Sequence, residues 1–206
     1  YCIALCQNLI DSGQASMNDY IGDYDDNFCS NGSISVNEAI TNTIRDSSNG
    51  SYRALRLAYL SRSNFAGWLN DVGISDTYRF LSSIDDYANF SPREGAQMWL
   101  QIYKYFMSDA SCSTFIQDNF ANTRVSFIRN ACSADQNLKS AVVWNKAGWI
   151  SEGNDYNTLS DFGVLRIDGK DYLCIFATNL PDLGEQSSNV LEHLISSVIH
   201  CRGHLK

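Results

Sequence analysis

Apolar positions recur every three or four residues through the first two-thirds of the chain, and every second residue after that. Over residues 1–21, Ile3, Leu5, Cys6, Leu9 and Ile10 fall at helical spacing until Asp11-Ser12-Gly13 interrupts them. Residues 20–32 are acidic and irregular. Residues 35–47 read as a helix. Ser35 stands at its start with Glu38 three positions on, the spacing of a capping box, and Val36, Ala39, Ile40, Thr43 and Ile44 form its apolar stripe. Ser47-Ser48-Asn49-Gly50-Ser51 breaks that pattern, and a second helix is expected over 52–60. A short helix over 65–71 ends at Gly73, and 74–90 reads as loop. Ser91-Pro92-Arg93-Glu94 is a helix start, with Ser as cap and Pro in the first turn, and that helix runs to Met107. Two shorter helical pieces cover 111–131.

The period then changes. Val142-Val143-Trp144-Asn145-Lys146-Ala147-Gly148-Trp149-Ile150 is β-branched and aromatic. So are Asp161-Phe162-Gly163-Val164-Leu165-Arg166-Ile167 and Tyr172-Leu173-Cys174-Ile175-Phe176-Ala177-Thr178. The last two are joined by Asp168-Gly169-Lys170-Asp171, a hairpin signal, and the first two by a polar loop. A closing helix covers 184–201. Helices first, then an antiparallel meander, then one more helix gives an α+β fold with helices flanking an antiparallel sheet. Lys146 lies inside an apolar strand, where a cation is costly to bury alone, so it must reach an edge, a cleft or a counter-charge.

Composition narrows the function. The formal net charge is -8, which argues against nucleic acid as a partner, since phosphate binding needs clustered Lys and Arg. No apolar run reaches membrane-spanning length. Seven cysteines, none in a Cys-x-x-Cys pair, disfavour zinc and thioredoxin-type chemistry. They suit an exported protein with one to three disulfides, Cys112 with Cys132 being the natural pair. Buried thiols packing as small hydrophobes are the alternative. His200 and His204 are four apart, but helix-end histidines facing the dipole account for them, and no metal site is expected. Trp99, Tyr103 and Phe106 follow helical spacing and read as core. The chain opens straight into a helical pattern at Tyr1, from which upstream sequence is expected.

Two short motifs carry chemistry. Ser47-Ser48-Asn49 is a Ser-x-Asn turn between two helices. Lys146-Ala147-Gly148 follows about a hundred residues later on a strand. Taken singly, the first reads as a helix C-cap with a turn, and the second as an edge-strand lysine that discourages aggregation. Together, in this order and spacing, they resemble the second and third motifs of the penicillin-recognising serine enzymes, the class A β-lactamases and D-Ala-D-Ala peptidases. Flanking text is similar too. Residues 38–46 resemble the helix leading into the family's turn, 69–73 the segment ending its next helices, and 160–164 the start of its following strand. Residues 6–14 resemble the end of its central helix.

The resemblance implies a single β-lactamase-like domain over 1–206, with a helical lobe at about 20–135 and a sheet with its closing helix at about 136–206. Measured against that family, the chain would lack an N-terminal helix and the first strands. The resemblance also implies an exported, cell-envelope protein that needs no cofactor and takes a small-molecule or peptidoglycan-peptide ligand. Ser47 would relay a proton to the leaving nitrogen, and Lys146 would supply positive charge to the substrate carboxylate. Asn49 would bond the substrate amide, and the N–H of Trp149 would serve an oxyanion hole. Gly148 would let a substrate strand lie close.

Three departures stand out. No Ser in the chain has Lys three residues later, so the nucleophile motif is absent from these residues. Residues 74–90 hold no Glu-x-x-Leu-Asn, and Asp85 and Asp86 there read as solvated loop charges. Ala147 stands where a hydroxyl residue is usual, a loss of about 1.5–3 kcal/mol of charge-assisted hydrogen bonding to a ligand. A catalytically inactive relative kept as a binding or interaction module is the alternative reading.

Overall fold

The computed structural model describes residues 1–22, 32–82, 88–152, 156–181 and 184–204. The chain forms two compact units, Tyr1–Asn119 and Phe120–Lys206. The first is mainly helical and the second is built on an antiparallel sheet.

The helical unit starts with α1 (Cys2–Leu5), which widens into a π-helical turn over Cys6–Ile10. Ile3, Ala4, Leu5, Cys6 and Leu9 are all buried. Polar tethers fix the segment: Tyr1 Oη donates to Leu55 O at 3.2 Å, Asn8 Nδ2 to Ser63 O at 2.7 Å, and Trp68 Nε1 to Gln7 Oε1 at 2.8 Å. Asp11 is the strongest anchor. Its carboxylate accepts from Tyr105 Oη at 2.7 Å, Ser111 Oγ at 2.6 Å and the Cys112 N–H at 3.0 Å.

A small antiparallel pair that the pattern did not announce follows, β1 (Tyr20–Gly22) with β2 (Ser33–Ser35). Three residues per strand are too few for a period of two to stand out. Then come α2 (Val36–Arg45), α3 (Asn49–Tyr59), α4 (Phe65–Asp71) and α5 (Tyr78–Leu81). The expected loop over 74–90 thus holds one helical turn, buried through Phe80. Asp85 and Asp86 lie outside the described residues. In α6 (Pro92–Phe106) the Ser91 and Glu94 capping box is complete. Trp99, Tyr105 and Phe106 of that helix are buried, while Tyr103 is only partly covered. α7 (Ser113–Ala121) closes this unit.

The sheet unit takes in α8 (Phe127–Ala134). The reason is burial. Phe127, Ile128, Ala131 and Cys132 share one apolar cluster with Val143, Ala147, Leu165, Ile167, Leu191, Ile195 and Ile199. The strands are β3 (Val142–Glu152), β4 (Tyr156–Ile167) and β5 (Lys170–Thr178), all antiparallel, in the order β3-β4-β5. β3 and β4 run further than their apolar text. Ile150 pairs with Thr158 and Ser151 with Asn157, because the backbone ladder continues whatever the side chains are. Asp168 and Gly169 both take positive φ, 52° and 73°, as a tight hairpin between twisted strands demands. α9 (Glu185–His200) buries Leu191, Ile195 and Ile199 against this sheet and leaves Val190, Leu194 and Val198 exposed.

Six of the seven cysteines are described and all six are free thiols; Cys29 lies outside the described residues. The bridge expected between Cys112 and Cys132 is therefore not formed. The Cys112 thiol instead lies near that of Cys6, while Cys132 packs in the core of the sheet unit with Cys174.

Candidate functional site

The end of α2 shows how the Ser-x-Asn segment is held. Asp46 is the last turn's cap, and Ser47 follows with φ of 58°, a left-handed conformation that a residue with a Cβ rarely adopts. The chain then doubles back, with the Ser48 N–H donating to Asn42 O at 3.1 Å. Ser48 caps the next helix, its Oγ accepting from the Ser51 N–H at 3.1 Å. Capping is thus the task of Ser48, not Ser47. Asn49 is the first residue of α3, three residues before the expected start, and its side chain is exposed. A left-handed serine followed by a capping serine carries the hydroxyl and the amide of positions 47 and 49 on a fixed corner.

β3 carries the second motif on the edge of its sheet. Lys146 is opposite Phe162, Ala147 opposite Asp161 and Gly148 opposite Ser160. The Lys146 side chain is half-buried and its Nζ donates to Ala147 O at 2.9 Å. The Ala147 methyl lies in the apolar cluster of the sheet unit, so its side chain faces the core. Gly148 O accepts from Ser160 Oγ at 3.1 Å. Trp149 is 40% exposed, a large apolar surface left open on the strand that bears the lysine. Ser47 and Asn49 belong to the helical unit, and Lys146, Ala147, Gly148 and Trp149 to the sheet unit.

Beneath β3 lies a buried polar network that the sequence did not reveal. Asn145 and Asp161 are both wholly buried. Asn145 Nδ2 donates to Asp161 Oδ1 at 2.7 Å, and its Oδ1 accepts from Thr123 Oγ1 at 2.7 Å. The Ile128 N–H donates to Asp161 Oδ2 at 2.9 Å. Arg129 completes the network through the carbonyls of Ala121 and Thr123, at 2.8 and 3.0 Å. Burial pushes the Asp161 carboxyl up to about 6, while its hydrogen bonds and the nearby Lys146 ammonium pull the other way. Asn145 is paired with Gly163 and Asp161 with Ala147, so the two polar side chains meet on a diagonal of the ladder that the sequence does not announce.

Among the described residues no group of three His, Cys, Asp or Glu side chains is placed to hold a metal. His200 uses Nε2 to meet Asp135 Oδ2 at 2.8 Å, while its Nδ1 lies 2.8 Å from Ser196 O. No helix among the described residues is long and apolar enough to cross a membrane.

Neither family models nor curated proteins match the chain. Solved structures do. The chain is similar to a β-lactamase from Chitinophaga pinensis DSM 2588, with a TM-score of 0.69 at 17% identity, over 96% of this chain and 80% of that one. It is similar to PBP-A, with a TM-score of 0.72 at 13% identity, over 99% and 79%. It is similar to a β-lactamase from Burkholderia vietnamiensis, with a TM-score of 0.71 at 15% identity, over 100% and 80%. Identities this low speak to architecture and not to chemistry. The helical unit and the antiparallel sheet with its closing helix are those of the class A β-lactamases and PBP-A, and the chain has the α+β fold of the penicillin-recognising serine enzymes.

Proposed function

We propose that the chain is the scaffold of a serine hydrolase of the β-lactamase and D-Ala-D-Ala peptidase kind, exported to the cell envelope. Its ligand is a β-lactam or a peptide ending in D-Ala-D-Ala, and the bond attacked is an amide, through an acyl-serine. The observation that carries this reading is Lys146 on an edge strand of this fold, followed by Gly148, which leaves the strand's surface low. In this role the Lys146 ammonium draws the ligand carboxylate and Ser47 passes a proton to the leaving nitrogen. Asn49 bonds the ligand's amide, and the Trp149 N–H stabilises the developing oxyanion. The Ala147 side chain faces the apolar core of the sheet unit, so the expected loss of a ligand hydrogen bond at this position is not assigned to it.

One observation favours a second reading, a catalytically inactive binding module: none of these residues forms a Ser-x-x-Lys nucleophile motif. Fluorescent penicillin separates the two. A band that survives boiling in detergent, with the full-length gene product, marks an acyl-enzyme and supports the hydrolase. Saturable binding seen only by fluorescence polarisation, and lost on denaturation, supports the module. No saturable binding of penicillin or of a D-Ala-D-Ala peptide sinks both.

A further inference from the structure

We infer that Cys6 and Cys112 are a dithiol site that closes to a disulfide, clamping the π-helical turn of the first helix to the entry of α7. This stands independently of the ligand proposed above.

The placement of the two thiols is unusually well fixed. Cys6 opens the π-helical turn Cys6–Ile10 and has no exposed surface. Such turns are rare and collect at functional positions. Cys112 comes from a segment far along the chain, just before α7, and is also buried. The same carboxylate controls both neighbourhoods. Asp11 ends the π-helical turn and accepts both the Cys112 N–H and Ser111 Oγ, while Tyr105 Oη holds its other oxygen. Asp11 also donates its own N–H to Cys6 O at 2.8 Å, so one residue bonds the backbone of both cysteines, and the two buried thiols lie close enough to influence each other. Two cysteines more than a hundred residues apart are thus held near each other through one residue, and a crosslink requires that its two halves be neighbours in the reduced state.

The roles of the two sulfurs differ. Cys6 has no exposed surface, whereas Cys112 keeps a little, so Cys112 is the sulfur that an oxidant meets first. With a low-molecular-weight disulfide as oxidant, the Cys112 thiolate attacks one sulfur and expels a small thiolate, leaving a mixed disulfide on Cys112. Cys6 loses its proton, attacks the Cys112 sulfur and expels the second small thiolate. The two protons released by the cysteines end on the two small thiols, so one disulfide is reduced as one forms. The closed loop spans most of the helical unit, the case in which a crosslink restricts the unfolded chain most.

The test is a disulfide map of the whole chain after equilibration with oxidised glutathione and trapping of remaining thiols. Digestion at Asp and Glu separates Cys6 from Cys29, and a Cys2→Ser chain removes the nearest competitor. The expected result is one crosslinked peptide pair joining Cys6 to Cys112, and a Tm about 5–10 °C higher than after reduction. In Cys6→Ser, Cys112 should end as the mixed disulfide with glutathione. Recovery of Cys6 and Cys112 as separately trapped thiols, or of Cys112 joined to any other cysteine, overturns the inference. The map is read on chains that keep both cysteines, so it does not depend on the Cys6→Ser chain folding.

Discussion

The Ile128 N–H, in the first turn of α8, donates to Asp161 Oδ2 across 2.9 Å in the closed interior of the sheet unit. That bond ties the start of a helix to the middle of β4, directly opposite Ala147 in the ladder. A carboxylate at a helix N-terminus satisfies donors that the helix cannot use itself. Here it also sits one position across and one along from Lys146. Asn145 fills the remaining space by bonding Asp161 with its amide N–H and accepting from Thr123. The strand that carries Lys146 is therefore held from below by polar bonds, not only by apolar packing. Polar bonds fix direction where apolar contact tolerates sliding.

The protonation of Asp161 sets a pH dependence. Its folded value of about 6 lies above that of an exposed carboxyl, because burial outweighs the bonds it accepts. The folded state thus keeps a proton that the unfolded state releases between about pH 4 and pH 6. Stability from this group is fully present below about pH 4 and is lost as pH rises through 6, a fall of about 2–3 kcal/mol. Urea unfolding of the native chain and of Asp161→Asn, from pH 4 to pH 7, should show this slope in the first and not in the second. Parallel curves for the two chains would refute it.

Two glycines on neighbouring strands should behave oppositely. A Cβ on Gly163 would stand 2.3 Å from Trp144 O and 2.9 Å from Asn145 Cα, both backbone atoms of β3. Gly163→Ala must push the strands apart and should destabilise by about 2–3 kcal/mol or prevent folding. A Cβ on Gly148 meets only Ser160 Oγ, at 3.2 Å, and that side chain can turn away. Gly148→Ala should cost under about 1 kcal/mol in a chemical melt. Under the proposed function it should still weaken penicillin binding, because the added methyl stands where the ligand must lie. Equal stability losses for the two variants would contradict the packing, and unchanged binding by Gly148→Ala would count against the ligand site.

Lys146 offers a cleaner separation of fold from function. The residue is partly exposed, and its Nζ donates to a carbonyl of its own strand. Lys146→Met keeps the stem and removes the charge, so unfolding should move by less than about 1 kcal/mol. Penicillin affinity, read by polarisation in low salt, should fall at least about tenfold, the loss of one charge-assisted contact. Lys146→Arg should recover part of it. Affinity indifferent to all three side chains would remove Lys146 from the site.

The sequence spoke clearly where one residue decides a local conformation. Ser35, Ser91 with Pro92 and Glu94, and Asp168-Gly169 each marked an element boundary that the structure bears out. It was silent where the decision is non-local. Asn145 and Asp161 lie sixteen positions apart, and nothing in either neighbourhood says that they meet or that Ile128 joins them. Cys112 likewise had a natural partner in Cys132, yet Asp11, a hundred positions away, accepts its N–H and holds it beside the π-helical turn that carries Cys6. Of the motif residues, Lys146 and Gly148 sit on the strand their text promised. The left-handed backbone of Ser47 could not be read from Ser-Ser-Asn, since Ser48 or Asn49 would have served that position as readily.

That backbone supplies the last test. Ser47 holds φ of 58° at the exit of α2, a conformation costing a residue with a Cβ about 1–2 kcal/mol and glycine almost nothing. Glycine loses about 0.5–1 kcal/mol of that advantage to its freer unfolded chain. Ser47→Gly should therefore raise stability by about 0.5–1 kcal/mol, visible as a higher urea midpoint with an unchanged slope. If Ser47 relays the proton to the leaving nitrogen, the same change should abolish penicillin turnover by the full-length gene product while leaving reversible binding in place. Stability gained as function is lost is the mark of a strained residue kept for its chemistry. A variant both more stable and equally active would show that the strain belongs to the turn alone.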